Sequence, residues 1–207
     1  MSTATYSTNQ AAGSGSPAAA DPGRQPVHAI GQGAMWVYIV GDLFIFGGWF
    51  VFYLVYRAMQ PLPFLESQAQ LSQKIGVINT LILLVSSFWV ALCVNATRAG
   101  RYEQALRYAW ITILCGGLFG ASKVYEWMTE VAAGHTFTSN YFFMFYFFLT
   151  AIHLFHVMCG FIVLGVLVRH LRDPALRSQV VIENCAAFWH LVDVLWVVIF
   201  ALLYLMR

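Results

Sequence analysis

Six ionisable residues fall inside strongly apolar stretches of this sequence, and their types and spacing set the chemistry the chain could support. His153 and His156 lie in FFMFYFFLTAIHLFHVMCGFIVLGVLVR, residues 142–169. Glu183, His190 and Asp193 follow in ENCAAFWHLVDVLWVVIFALLYL, and Asp42 sits in AMWVYIVGDLFIFGGWFVFYLVY near the start. His153, His156, His190 and Asp193 together could hold a transition metal through imidazole and carboxylate ligands. Two histidines three apart on one helix cannot be the opposite axial ligands of one haem, so a bis-histidine haem would need His190 facing His153 or His156. The same groups could instead satisfy one another across neighbouring helices and fix their register, a reading that asks less of the sequence.

Other chemistries find little support. No Ser, Cys or Thr stands at a recognisable spacing from a His with an orienting acid, and no HExxH motif is present. A self-contained transporter would show helices broken by Gly or Pro, or an internal repeat, and the sequence shows neither. Lys123 and Glu126, three apart near the end of a further apolar stretch, are suited to a structural ion pair within snorkelling reach of the outer interface.

The elements that position these residues must be membrane helices. The chain of 207 residues is 60% hydrophobic and 10% charged, against about a quarter charged in a soluble domain. Hydropathy predicts five spans, at 34–56, 76–96, 106–128, 141–168 and 181–206, so the expected fold is an all-α polytopic bundle of five transmembrane helices. Residues 1–33, rich in Ser, Ala, Gly and Pro, are expected to form a disordered cytoplasmic tail before one membrane domain at 34–207. Gly116 and Gly120 form a GxxxG pattern, and Gly41, Gly47 and Gly48 are small residues suited to close helix contact. Asn79, Thr80, Ser86 and Ser87 can hydrogen-bond between helices. The four cysteines stand singly in or beside the spans and read as packing residues.

Arg24, Arg98, Arg101, Arg107, Arg169, Arg172 and Arg177 collect on one side of the predicted topology, against Arg57, Lys74 and Arg207 on the other. The bias places the N-terminus in the cytoplasm and the C-terminus outside. The net charge of +2 adds nothing further, and no basic patch interleaved with aromatics suggests nucleic acid.

Two of these stretches carry a family resemblance. TAIHLFHVMCGF, with ENCAAFWHLVDVLWVVIFALLY after it, resembles the paired histidine signatures of subunit III of the haem–copper oxidases, TG-x-H-x-x-H-V-x-x-G and then W-H-x-V-D-x-x-W. The resemblance runs from Ala34 to Arg207. MWVYIVGDLFIFGGWF is similar to the family's acidic helix, with Asp42 at the acidic position, and NTLILLVSS and FGASKVYEW are similar to the next two spans. Five spans look like the bacterial short form. Ala151 replaces the usual glycine and Lys123 a common glutamine, which with SNYFFMFYFF brings the chain near the subunit III-like proteins associated with nitric oxide reductases.

The resemblance implies an accessory subunit of a bacterial haem–copper terminal oxidase in the cytoplasmic membrane. Such a subunit binds no haem or copper, which reside in the partner catalytic subunit. It packs on subunit I beside the other oxidase subunits, binds phospholipid and supports sustained proton uptake. Asp42 would then be buried toward subunit I, and His153, His156, Glu183, His190 and Asp193 would form a structural polar cluster joining the last two helices. The alternatives are an accessory subunit of a nitric oxide reductase and, from another class, a stand-alone haem-binding membrane cytochrome.

Overall fold

The computed structural model describes residues 30–206, and every described element is helical. The helices are α1 (Ile30–Met59), α2 (Pro61–Gln70), α3 (Gln73–Arg98), α4 (Tyr102–Ala132), α5 (Tyr141–Arg172) and α6 (Gln179–Phe200), which runs on into a π-helical turn, Ala201–Leu205. Of the tail expected at 1–33, residues 1–29, Arg24 among them, lie outside the described residues, as does Arg207, and residues 30–33 already belong to α1. All helices but α2 are long and apolar enough to cross a membrane, in agreement with the five predicted spans. Helix is the form in which such a chain satisfies its own backbone inside hydrocarbon.

The connections are short because local chemistry ends each helix sharply. Gly100 and Gly134 take positive φ, 73° and 89°, just past the ends of α3 and α4. Behind each, the next amide reaches back to the helix, Arg101 N to Ala96 O at 2.9 Å and His135 N to Glu130 O at 3.0 Å. Both are Schellman caps, which leave the chain ready to reverse. Asn140 starts α5: its Oδ1 accepts from Phe143 N at 2.9 Å while its Nδ2 donates to Ser67 Oγ of α2 at 2.8 Å. The segment between the first two predicted spans holds a further short helix, α2, which begins at Pro61 and carries Pro63 in its first turn. Prolines in a first turn remove only amides that lack an intrahelical partner, so they permit this start.

α6 occupies the centre of the bundle. It packs on α5, α3 and α1, and α4 packs chiefly on α3 and α5. Trp189 supplies the tightest contact. A Cβ added at Gly116 of α4 would lie 2.7 Å from its indole, and one added at Gly160 of α5 would also lie 2.7 Å away. The ring is therefore slotted between two glycines, and its Nε1 donates to Ser86 Oγ of α3 at 2.8 Å. A second indole, Trp196, donates to Thr80 Oγ1 at 3.1 Å, extending the α3–α6 seam.

The glycine pattern thus works differently from expectation. Gly116 makes room for a side chain from α6 instead of a backbone, and Gly120 has nothing within 4 Å of an added Cβ. Gly41, Gly47 and Gly48 of α1 are likewise open within this chain. Two more contacts close the bundle at the π turn, with Tyr53 Oη of α1 donating to Leu202 O at 3.0 Å and Gln73 Nε2 of α3 to Tyr204 O at 2.7 Å.

Gly160→Ala should destabilise the fold by about 1–3 kcal/mol through overpacking, read as a lower unfolding temperature in mild detergent. The loss should shrink in a Trp189→Leu background. An equal loss in both backgrounds would show that the indole is not what the glycine accommodates.

Candidate functional site

The six expected polar residues do not converge. His156 turns to α1, where its Nε2 lies 3.1 Å from Asp42 Oδ1, and its Nδ1 lies 2.8 Å from Ile152 O. A carbonyl oxygen can only accept, so Nδ1 must carry hydrogen. The contact between Nε2 and Oδ1 then needs one further proton, either on the carboxyl or on the imidazole. In both cases the pair is neutral overall, which is how a carboxyl and a histidine can sit together inside a span. Asp42 is turned toward α5 and is 8% exposed, while its Oδ2 has no protein partner.

His153 points elsewhere. At 100° per residue, three residues leave two side chains 60° apart, enough in a crowded bundle to assign them to adjacent seams. The His153 ring stands edge-on to Phe119 of α4, with centroids 5.6 Å apart, and tilted over Trp196 of α6 at 5.2 Å. Neither of its nitrogens has a hydrogen-bond partner. His190 faces α3, with Nδ1 2.6 Å from Ser87 Oγ. Asp193, one turn further along α6, is buried with both oxygens unpartnered. Glu183 lies at the arginine-bearing end, where Arg98 Nη2 approaches its Oε1 at 2.9 Å and Gln179 Nε2 donates to the same oxygen at 2.9 Å. Arg98 is 60% exposed there, so this pair contributes at most about 1 kcal/mol.

The expected lock between α5 and α6 is therefore divided among three seams, α1–α5, α4–α5–α6 and α3–α6. No hydrogen bond joins a histidine of α5 to His190, Glu183 or Asp193 among the described residues. No group of three or more His, Cys, Asp or Glu side chains is placed to hold a metal among them either. His156 is engaged at both ring nitrogens, and His153 packs against aromatic rings, so neither is set opposite His190 as an axial partner.

The charged cluster is at Lys123. The expected pair forms, with Lys123 Nζ 3.0 Å from Glu126 Oε2, and both side chains are only 1% exposed, so it lies inside the bundle and not on its surface. Its other two ammonium hydrogens have Tyr204 Oη at 2.9 Å and Tyr146 Oη at 3.3 Å. Tyr204 Oη in turn donates to Glu126 Oε1. A lysine has three donors and here finds three acceptors, which is the condition under which a buried ion pair is tolerated. Towards the surface, Glu130 pairs with His135 at 2.8 Å.

Tyr204 was not legible as a member of this cluster, because the π turn, closed by Met206 N to Ala201 O at 3.0 Å, shifts its register away from the α-helical pattern.

Lys123→Gln should cost about 3–5 kcal/mol by stranding Glu126 in the core, and Lys123→Gln with Glu126→Gln should recover most of that loss. Chemical unfolding in detergent micelles measures both. A double variant no better than the single would mean that the pair is not the dominant interaction.

Comparison with known proteins accounts for this arrangement of helices. The family model for cytochrome c oxidase subunit III matches residues 26–207. A cytochrome c oxidase subunit 3 of Thermostichus vulcanus is 31% identical over 173 residues, covering 82% of this chain and 84% of that one. A probable cytochrome c oxidase subunit 3 of Nocardia farcinica is 28% identical over 175 residues, 83% of this chain and 85% of that one. A quinol oxidase subunit 3 of Bacillus subtilis is 26% identical over 175 residues, 83% of this chain and 84% of that one. With one family spanning all five apolar helices, and each relative aligned over most of its own length, the chain belongs to the cytochrome c oxidase subunit III family.

Proposed function

We propose that this chain is the accessory third subunit of a bacterial haem–copper terminal oxidase, with the electron-accepting and oxygen-reducing chemistry in its partners. The match of the subunit III family to residues 26–207 carries the reading. The separation of Asp42, His153, His156 and His190 into different seams is in keeping with it, because the polar residues then serve helix packing. Haem and copper would reside in the catalytic subunit, and phospholipid would fill the remaining perimeter. In the orientation that the arginines favour, the turns after α3 and α5 are cytoplasmic, and so is the start of α1.

Subunit I is the partner we assign to α1. That helix is covered by α5 and α6 on one side only. It exposes Trp36, Val37, Phe44, Ile45 and Phe52 on the other, a broad apolar face. The neutral Asp42–His156 pair lies behind this face, where it can pass one proton between carboxyl and imidazole without placing net charge in the membrane. We assign it to the support of proton uptake during sustained turnover.

Purification of the tagged chain in mild detergent tests the assignment. A haem-containing multispan oxidase subunit should co-purify, and the separated chain should show no Soret band. A stoichiometric Soret band on the chain alone would overturn the reading in favour of a membrane cytochrome. Co-purification with a nitric oxide reductase would move it to the second complex that Lys123 suggested.

Asp42→Asn can still donate to a neutral His156 Nε2, so the complex should assemble and start at near-normal activity but inactivate several-fold faster under turnover. An unchanged inactivation rate would remove Asp42 from the proton function.

A further inference from the structure

A groove of about 280 Å³ runs between α3 and α6 from the arginine-bearing end toward the interior. Its mouth is polar, formed by Asn95 and Arg98 of α3 and Glu183 of α6, and Val94, Ala91, Ala186 and Ala187 line its sides. His190 lies along it, seven residues or about 10 Å below Glu183 on α6. Because Nδ1 of His190 is bonded to Ser87, Nε2 is the ring atom left to meet whatever fills the groove.

Three residues beyond His190, on the same side of the helix and about 4.5 Å deeper, is Asp193. It is 3% exposed, and neither carboxyl oxygen has a partner in the protein. A buried carboxyl without a partner is costly in a protein core and more so in a membrane. Glu183 is held at the mouth by Arg98 and Gln179, and Ser87, which also contacts His190, has a single O–H and so could answer at most one of the two oxygens.

We propose that the α3–α6 groove is a water-filled proton-access path ending at the Asp193 carboxyl. A lipid acyl chain is the competing occupant of any groove on a membrane helix pair. It would leave Asn95, the His190 Nε2 and at least one Asp193 oxygen unsatisfied, whereas water can bond to all of them. The groove is polar at its mouth and at His190, with small apolar side chains between, and Asp193 lies one helical turn beyond its lining, a sequence of groups that suits a file of water. Along it the Asp193 O–H gives its proton to water and takes another from water in return, with His190 and Ser87 as the hydrogen-bonding groups on the way. The exchange leaves charge and atoms unchanged. It is a property of this chain and does not depend on the oxidase assignment.

Infrared spectroscopy of the full chain in lipid vesicles provides the test. The carbonyl stretch of a protonated carboxyl, identified by its loss in Asp193→Asn, should shift promptly when H2O is replaced by D2O. Filling the groove with Ala187→Phe should slow that shift at least about tenfold, since exchange must then wait for local opening of the helices. Ala91→Leu, a smaller plug on the facing helix, should slow it in the same direction and guards against misfolding of the first variant.

A shift equally fast in both plugged variants would overturn the path. So would a wild-type band that does not exchange over hours, which is the outcome expected of an acyl chain in the groove. The absence of any Asp193-dependent carboxyl band would overturn the proposal as well.

Discussion

The contact on which the rest of the bundle depends is the indole of Trp189 lying between Gly116 and Gly160. One planar side chain sets how closely α4 and α5 approach α6, and through its Nε1 it also fixes α3. Lipid offers no hydrophobic drive between helices, so close fit and a few directed hydrogen bonds must do that work. The central position of α6 follows from it. The share of its span buried inside the chain is 67%, against 17% for α1.

Polar groups in such a core are affordable only when each is answered locally. The structure answers most of them seam by seam: Asp42 with His156, Lys123 with Glu126 and two tyrosines, and Trp189 and Trp196 with hydroxyls of α3. What unites these sites is neutrality. The ion pair cancels its own charge, the Asp42–His156 pair shares one proton, and the indoles bring none. Asn79 and His153 remain without partners inside the protein, as does Asp193.

The five spans were legible because hydrophobicity over some twenty residues is a long-range average that few local features disturb. Family membership was legible from His153, His156, His190 and Asp193, whose spacing survives as a pattern whatever the residues touch. Their partners were not legible. Spacing along a helix places a residue on a face, yet whether His156 meets α1 or α6 depends on packing angles that no periodicity encodes. Lys123 illustrates the same limit from the other direction: a lysine near a helix end reads as interfacial, and only the approach of Tyr204 on a π turn makes it a core residue. Gly116 was noticed for its GxxxG spacing, but its role came from a tryptophan 73 positions later.

The placement of α1 bears on the order in which the protein is made. Among the described residues its main contacts are with α6, α5 and the short α2, and α3 and α4, which come before α5 in synthesis, are not among its main neighbours. Asp42 therefore precedes its partner His156 by 114 residues, and Tyr53 precedes Leu202 by 149. During elongation the first helix must wait in the bilayer, its carboxyl unanswered, while the later helices are threaded in. A ribosome that stalls before α5 leaves a nascent protein with an orphaned acid in lipid, a mark by which membrane quality control could distinguish an unfinished copy from a complete one.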